Sequence, residues 1–156
     1  MVQYRPVTEQ EFDILRDRNI GENPGEPMWP IWRQRFRQRI HLGQAITFGI
    51  ILDGEPVGEG TLELDTGKDP RLCDGKTTAY LSALRICKEY EGQGHVSRLV
   101  KAMEAHARNL GYTTLTIGVE ESEVRNRAIY RHWGYVNRVM TETQDGEQVL
   151  YFAKEL

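Results

Sequence analysis

A short glycine-rich turn is the segment of this sequence best suited to binding a charged ligand. The segment Lys88–Gly94 contains two glycines on either side of Gln93, and a helical pattern begins at His95. Glycine lets the backbone approach a ligand closely, and the first N–H groups of a helix lack intrahelical partners and lie at the positive end of its dipole. The turn therefore predicts an anion site, most often for phosphate; a tight strand-to-helix connection is the alternative.

The elements on either side of the turn are predicted from hydrophobic periodicity. Residues Ala79–Cys87 are apolar on both faces apart from Ser82 and Arg85, which is typical of a central strand. Beyond the turn, apolar residues recur at helical spacing until Gly111 supplies a C-cap. The turn has no Gly-Lys-Ser/Thr and lacks a third glycine, so it is neither a Walker loop nor a dinucleotide fingerprint.

A second strand and helix follow directly. The segment Tyr112–Glu120 alternates apolar and polar residues, which predicts a strand with one buried face. A short helix is predicted from about Ser122 to Trp133, and Gly134 ends it. Tyr130 lies about one helical turn before this glycine.

These two strand–helix pairs resemble the signature segments of the GCN5-related N-acetyltransferase (GNAT) superfamily. The first family pattern is Arg/Gln-x-x-Gly-x-Gly/Ala after an apolar strand, and the segment from Leu84 to Val96 is similar to it. The second is Asn-x-x-Ala-x-x-Leu-Tyr followed by Gly-Phe, which resembles the segment from Glu123 to Tyr130 and then Gly134-Tyr135. The two segments cover about 60 residues.

Three residues depart from the family pattern. Glu91 stands where the family has Arg or Gln, Val96 where it has a small residue, and Glu123 where it has Asn. Phosphate binding in the family is mainly through backbone N–H groups, so the departure at Glu91 is expected to affect cofactor binding least. The larger side chain of Val96 narrows the space through which the cofactor approaches the turn. Asn126, one turn after Glu123, is expected to take over the contact with the cofactor arm.

The resemblance implies an α/β (α+β) fold with a mixed, mostly antiparallel central sheet of about six or seven strands and about four helices. The expected order is strand, two helices, three strands, helix, strand, helix and two strands, in a single N-acetyltransferase domain over residues 1–156. Acetyl-CoA is the implied cosubstrate. Its pyrophosphate would bind the amides of Gly92, Gln93, Gly94, His95, Val96 and Ser97, and its pantetheine arm would lie beside Leu84, Arg85 and Ile86.

The resemblance also suggests the catalytic groups. Tyr130 matches the family tyrosine near the cofactor sulfur, where a phenol with a pKa near about 10 is a suitable acid toward a thiolate; packing under the sheet is the alternative. Glu120, on the polar face of its strand, is the candidate base, acting directly or through water, although it could instead orient the loop or cap the next helix. His95 is expected to be a phosphate contact or a surface group.

The first half of the chain is expected to carry the acceptor site. A strand at Val2–Val7 precedes a helix that opens with a capping box at Thr8 and runs to about Asp17. Three prolines and two glycines predict a loop over Gly21–Pro30. The arginine-rich segment Trp32–Leu42 predicts a helix with an apolar stripe and a basic, solvated face. We favour this interpretation over a basic patch that binds nucleic acid. In the superfamily this region overhangs the acceptor, so the residues expected to line its pocket are Met28, Trp29 and Trp32.

The remaining segments predict two hairpins. Strands are expected on either side of Asp53-Gly54 and again of Asp145-Gly146, and a long exposed loop from Asp65 to Thr78. Four acidic residues in this region could suggest a metal site, but on a strand they are more typical of a solvated face. These residues are Glu55, Glu59, Glu63 and Asp65.

Composition limits the function classes. A chain of 156 residues with 39% hydrophobic residues fits one domain, and a net charge of −3 argues against a general nucleic-acid binder. The two cysteines lack a metal-ligand spacing and are expected to be free thiols. Without a leader or a long apolar run, the expected location is cytoplasmic, with no membrane and no nucleic-acid partner. A homodimer is expected only because such pairs are common.

The expected function is transfer of an acetyl group from acetyl-CoA to a primary amine of a small molecule or a protein N-terminus. Two alternatives stay open at this point. One is a non-catalytic acyl-CoA-binding sensor or regulatory module of the same fold. The other is an unrelated nucleotide-binding domain.

Overall fold

Seven strands and four helices follow one another in the order that the sequence predicts. The structure is a computed structural model that describes residues 1–156. The elements are β1 (Val2–Pro6), α1 (Glu9–Glu22), α2 (Met28–His41), β2 (Ala45–Leu52), β3 (Glu55–Glu63), β4 (Thr78–Ile86), α3 (His95–Asn109), β5 (Thr114–Glu120), α4 (Val124–His132), β6 (Asn137–Gln144) and β7 (Glu147–Glu155).

The strands form one sheet in the order β1-β2-β3-β4-β5-β7-β6. Strand β1 pairs antiparallel with β2, and β7 pairs antiparallel with both β5 and β6. Strand β4 pairs in parallel with β5 over Thr78–Leu81. The predicted α/β fold with a mixed, mostly antiparallel sheet and four helices is therefore confirmed.

Contacts divide the chain into two compact units. The first consists of residues 1–62 and 83–103, and the second of residues 63–82 and 104–156. Each has its own apolar interior: Phe48, Ile50 and Leu99 are fully buried in the first, and Leu115 and Ile117 in the second. A single domain over 1–156 stays a prediction. No helix in the structure is both long enough and apolar enough to span a bilayer.

The predicted loop over Gly21–Pro30 is wrong at both ends. Helix α1 continues to Glu22, and α2 begins at Met28 with Pro30 in its first turn. Proline is tolerated there because the first N–H groups of a helix have no intrahelical acceptor. The irregular connection is thus confined to residues 23–27.

Two acidic residues of β3, Glu59 and Glu63, do not lie on the solvated face that the sequence suggested. Glu59 and Glu63 are each only 1% exposed. Both are partnered, since Asn19 donates to Glu59 at 2.8 Å and the Thr66 hydroxyl donates to Glu63 at 2.7 Å. Every residue of β3 after Glu55 is buried, so both faces of the strand are covered. Glu55 and Asp65, at the ends of the segment, are exposed as expected.

The connection between β3 and β4 is only partly the exposed loop that was predicted. Leu72 and Cys73 are buried, and the Thr116 hydroxyl donates to the Leu72 carbonyl at 2.8 Å. Asp74 accepts hydrogen bonds from the backbone N–H groups at the start of β4, which fixes the end of the loop. Both cysteines are free thiols, as the sequence indicated.

Helix α1 begins with the capping box that the sequence predicts. Thr8 accepts a hydrogen bond from the Glu11 N–H at 3.1 Å, and Glu11 accepts one from the Thr8 N–H at 2.8 Å. Arg5 donates to both oxygens of Glu11, at 2.8 and 2.9 Å. These hydrogen bonds, first of all those from Arg5, lower the pKa of Glu11 to about 2.

Replacing Glu11 with Gln is expected to make the free energy of unfolding depend less on pH in the acid range. Because the pKa of Glu11 is lowered on folding, its stabilising contribution is present above its ordinary pKa and is lost as the pH falls toward about 2. At neutral pH the substitution should cost about 1 kcal/mol of unfolding free energy. Urea unfolding between neutral and acid pH measures both effects. Glu9→Gln, in the same helical turn, is the control, and an identical pH slope in the two variants would contradict the assignment.

A polar triad that is buried except for part of Lys154 links three segments of the second unit. Tyr135 is 1% exposed, and its hydroxyl donates to Glu104 at 2.9 Å. The Lys154 ammonium donates to the same carboxylate oxygen at 2.9 Å. Burial and the neighbouring Glu104 carboxylate raise the pKa of Tyr135, so its hydroxyl stays a donor.

Tyr135→Phe is expected to lower the unfolding free energy by about 1–3 kcal/mol, because it removes a donor from a buried carboxylate. Urea unfolding at neutral pH measures the loss. Tyr90→Phe, on the turn that precedes α3, supplies the control for deleting a hydroxyl. The triad would be energetically unimportant if the two variants were equally stable.

Candidate active site

The glycine turn and the start of α3 form an open array of backbone donors. Gly92 and Gly94 have φ values of 77° and 80°, in the region that favours glycine. The first helical hydrogen bond runs from the Arg98 N–H to the Gly94 carbonyl at 3.2 Å. The N–H groups of residues 95–97 therefore precede the intrahelical ladder, as at any helix N-terminus.

The side chains of the turn leave this array accessible. Residues 91–94 are exposed, and a Cβ placed on Gly92 would meet no atom within 4 Å. The Arg98 guanidinium donates to the Gln93 carbonyl at 3.0 Å, which adds a positive charge beside the turn. Sequence analysis missed Arg98, although its position four residues after Gly94 places it one helical turn along. The turn fits an anionic ligand such as a diphosphate.

His95 is not on the surface, which rules out one of its two expected positions. The side chain is 9% exposed, and its Nδ1 is hydrogen-bonded to the Tyr4 hydroxyl at 2.8 Å. The Gln93 side chain lies 3.2 Å from the other ring nitrogen. The ring ties the start of α3 to β1, so a contact between His95 and an anion would involve its backbone N–H.

The second half of β4 has an irregular backbone. Ala83 has a φ of 56°, an uncommon value for a residue with a side chain, and such residues concentrate at functional sites. Beyond it, the Cys87 N–H donates to the Val57 carbonyl of β3 at 2.8 Å. Successive N–H groups of a strand alternate in direction, so those of Leu84 and Ile86 point away from β3. They are available to a ligand that pairs like a strand.

The predicted acceptor residues lie at the start of α2. Met28 and Trp29 are half-buried and Trp32 is exposed. The two indoles make an edge contact with ring centroids 5.2 Å apart. The Arg85 guanidinium lies over the Trp29 ring, 4.7 Å from its centroid. The structure therefore brings Trp29 together with the predicted cofactor strand.

In the second unit, Tyr130 lies in helix α4 with its side chain half-buried. Its ring centroid is 5.5 Å from that of Trp133. Burial, and to a smaller extent the charge of Glu123, raises the pKa of Tyr130 above its ordinary value. The phenol therefore keeps its proton at neutral pH.

Glu120 and Asn126 lie in the connection between β5 and α4. Glu120 is exposed at the end of β5, and its backbone N–H donates to Glu123 at 3.4 Å. The Asn126 amide donates to the other oxygen of Glu123 at 2.6 Å. One donor of Asn126 is thus already engaged, and a cofactor contact would use its remaining N–H or its oxygen. The roles of both residues stay predictions.

Sequence analysis missed a tyrosine cluster in the same unit. Tyr80 and Tyr151 have ring centroids 6.1 Å apart, and the Tyr151 hydroxyl donates to Glu142 at 2.6 Å. Burial raises the pKa of Tyr80, and the neighbouring charges of Tyr151, Glu63, Tyr130 and Glu142 raise it further. A Cβ on Gly118 would lie 2.8 Å from the Tyr80 hydroxyl. A glycine inside a strand is the signal that could have indicated this close approach.

Comparisons with known proteins identify the family. The model of the acetyltransferase (GNAT) family matches residues 9–135. No curated protein matches the chain. A GNAT family acetyltransferase from Elizabethkingia anophelis, solved with acetyl-CoA bound, is 16% identical with a TM-score of 0.65, and the alignment covers 99% of this chain and 98% of that one.

Two further solved structures are similar over nearly their whole length. The ribosomal-protein-alanine N-acetyltransferase from Brucella melitensis is 18% identical with a TM-score of 0.73, covering 99% of both chains. A spermidine N-acetyltransferase chimera from Vibrio cholerae and hSSAT is 15% identical with a TM-score of 0.73, covering 99% of this chain and 94% of that one. Identities this low show a shared fold. Because the family model spans most of the sequence, this chain belongs to the GNAT family of acetyltransferases, with acetyl-CoA as its cosubstrate.

Proposed function

We propose that this protein is an N-acetyltransferase that moves the acetyl group of acetyl-CoA to a primary amine of a small molecule or a protein N-terminus. The observation that carries the proposal is the open glycine turn at the start of α3, with its array of unpaired backbone donors. Two of the similar structures are named for amine acceptors, an alanine of a ribosomal protein and spermidine. These names support nitrogen as the attacking atom.

The first unit would hold the cosubstrate. The N–H groups from Gly92 to Ser97 would bind the diphosphate, where the positive end of the α3 dipole favours negative charge. Arg98 would strengthen this attraction, since its guanidinium lies beside the turn. It compensates for Glu91, which stands where the family has Arg or Gln.

The second half of β4 would hold the pantetheine arm. The outward N–H groups of Leu84 and Ile86 can bind an extended chain in the way that an added strand binds a sheet edge. A backbone N–H of this segment would also donate to the thioester carbonyl. That hydrogen bond strengthens as negative charge develops on the oxygen during attack.

The transfer needs one base and one acid. The unprotonated amine nitrogen forms a bond to the acetyl carbon, and the carbon–sulfur bond breaks with its electron pair moving to sulfur. Tyr130 would give its proton to the departing thiolate, and the amine would lose its proton to Glu120, directly or through water. The pKa of Tyr130 lies above its ordinary value, so the phenol is protonated when the thiolate forms, although the same shift makes it a weaker acid.

Tyr130→Phe tests the catalytic assignment. We expect kcat to fall about a hundredfold, because the thiolate would leave without a proton donor, while the affinity for acetyl-CoA changes little. Release of the CoA thiol in the presence of an amine library measures kcat, and calorimetric titration with CoA measures affinity. Tyr112→Phe, also in the second unit, is the matched control. A parallel loss of turnover and affinity would instead assign Tyr130 a packing role, and undiminished turnover would remove it from the mechanism.

Gly94→Ala tests the cofactor turn. Alanine at a φ of 80° is strained by about 1–2 kcal/mol, so the turn should rearrange and its amides lose their alignment. We expect CoA to bind about tenfold more weakly, which corresponds to one charge-assisted hydrogen bond. The CoA-dependent rise in melting temperature reports the affinity.

Gly111→Ala is the control for backbone strain. Gly111 follows the other end of α3 with a φ of 95°, and a Cβ there would meet no atom within 4 Å. Both variants should lose similar stability without ligand, but only Gly94→Ala should bind CoA more weakly. Equal CoA affinities in the two variants would exclude the turn as the diphosphate site.

A further inference from the structure

Beneath α1 and α2, one buried carboxylate faces two guanidinium groups. Glu59 of β3 is 1% exposed and lies 3.1 Å from Arg16, which is itself 3% exposed. Arg85 of β4 approaches the other oxygen of Glu59 at 3.8 Å, and Asn19 donates to that oxygen at 2.8 Å. All four residues belong to the first unit. We refer to Arg16, Glu59 and Arg85 as the arginine pair cluster.

The cluster carries one more positive than negative charge. Guanidinium groups stay protonated in proteins, so one of the two arginines lacks a compensating carboxylate. Nε of Arg16 is buried without a hydrogen-bond partner. Nη2 of Arg16 and Nη1 of Arg85 face Glu59 as ion pairs, but neither makes a hydrogen bond to it. Burial lowers the pKa of both guanidinium groups, and the charge of Glu59 opposes this effect without cancelling it; the charge of Arg85 lowers the pKa of Arg16 further. An uncompensated buried charge is costly, so the site favours a second anion.

Arg85 is the member of the cluster that a ligand could reach. Its side chain is 33% exposed, whereas that of Arg16 is 3% exposed. Side chains alternate along a strand, and a Cβ on Gly60 would lie 2.7 Å from Leu84. Leu84 therefore packs on the face of the sheet that carries Met103 of α3, and Arg85 faces the helices α1 and α2.

Trp29 covers the reachable guanidinium. The Arg85 guanidinium carbon lies 4.7 Å from the centroid of its ring, and Trp32 lies against Trp29. When a guanidinium stacks on an aromatic ring, its N–H groups still point outward in the guanidinium plane. There, two parallel N–H groups can bind both oxygens of a carboxylate. The face of Trp29 that meets Arg85 is occupied by a cation of the protein, so this face is not free for a cationic group of the acceptor.

We propose that Arg85, beneath Trp29, binds a carboxylate of the acceptor, so that the acetylated amines are carboxylate-bearing compounds of the amino-acid or peptide class. The inference rests on the proposed function, which assigns the main chain on both sides of Arg85 to the pantetheine arm. An acceptor held by Arg85 would thus be anchored on the same strand as the thioester. A polycation such as a polyamine would instead meet like charge here.

The test compares carboxylate-bearing amines with their primary amides. Thiol release from acetyl-CoA is measured for a series of α- and ω-amino acids of increasing chain length and for the matching carboxamides, with rates normalised to the unprotonated amine. For the best chain length, the wild-type protein should prefer the carboxylate by at least about tenfold in kcat/KM, the value of a charge-assisted hydrogen bond. The preference should lie mainly in KM.

Variants assign the preference to Arg85. Arg85→Gln should reduce the ratio of kcat/KM for the carboxylate to that for the carboxamide to about one. Arg85→Lys should keep part of the preference, because lysine retains the positive charge but not the paired N–H groups of the guanidinium. Arg39→Gln is the control, since Arg39 lies in the same unit and also packs on an aromatic ring, that of Phe36. It should keep the wild-type ratio.

Each outcome separates this inference from the proposed function. A wild-type ratio near one, with measurable transfer, overturns the inference and leaves the transferase proposal standing; because this comparison needs no variant, it holds even if Arg85→Gln does not fold. If Arg85→Gln still prefers the carboxylate, Arg85 does not bind the acceptor, which overturns the inference; its role is then only to pair with Glu59. If CoA raises the melting temperature but no amine of either kind releases thiol, the proposed function fails, and the inference fails with it.

Discussion

The backbone of strand β4 changes its pairing partner along its length. Its first residues pair in parallel with β5, and Cys87, directly after the strand, bonds to β3. Between them Ala83 adopts a positive φ, which most residues avoid. The N–H groups of Leu84 and Ile86 then point away from β3, and the glycine turn follows directly. Backbone donors are obligatory hydrogen-bonding groups, and the proposed function assigns the donors of this segment to an extended, anionic cosubstrate.

The same strand carries one member of the arginine pair cluster of the first unit. Arg85 lies between Leu84 and Ile86 in the chain but directs its side chain toward Glu59 and Trp29. The buried Glu59 orients two guanidinium groups and neutralises one of them. A positive charge is therefore held on a rigid strand, where its position is set by the sheet and by two helices. A strand and helices fix the position of a charged side chain within narrower limits than a loop does.

Local signals predicted most of the fold because each depends on a few neighbouring residues. The Asp-Gly turns after β2 and β6 fall where expected, with positive φ at Asp53 and Asp145. The start of α3 at His95 follows from the glycine before it and the apolar spacing after it. The main local error was at Pro30, where three prolines suggested a loop although the first turn of a helix accepts proline. The family motifs of the candidate site were matched for the same reason, since they are contiguous in sequence.

The sequence alone determined the order of the elements, the glycine turn and the membership in an acetyltransferase family. It did not determine the environment of the charged residues: Glu59 and Glu63 were expected in solvent and are buried, and His95 packs against Tyr4. Nor did it indicate that Arg85 lies on Trp29, or that Tyr80 and Tyr151 lie side by side. These contacts join residues far apart in the chain, and the periodicity of a strand is the same whether its polar face meets water or another element. Only tertiary packing decides which neighbour covers that face, and therefore which charges are paired and which are left to bind a ligand.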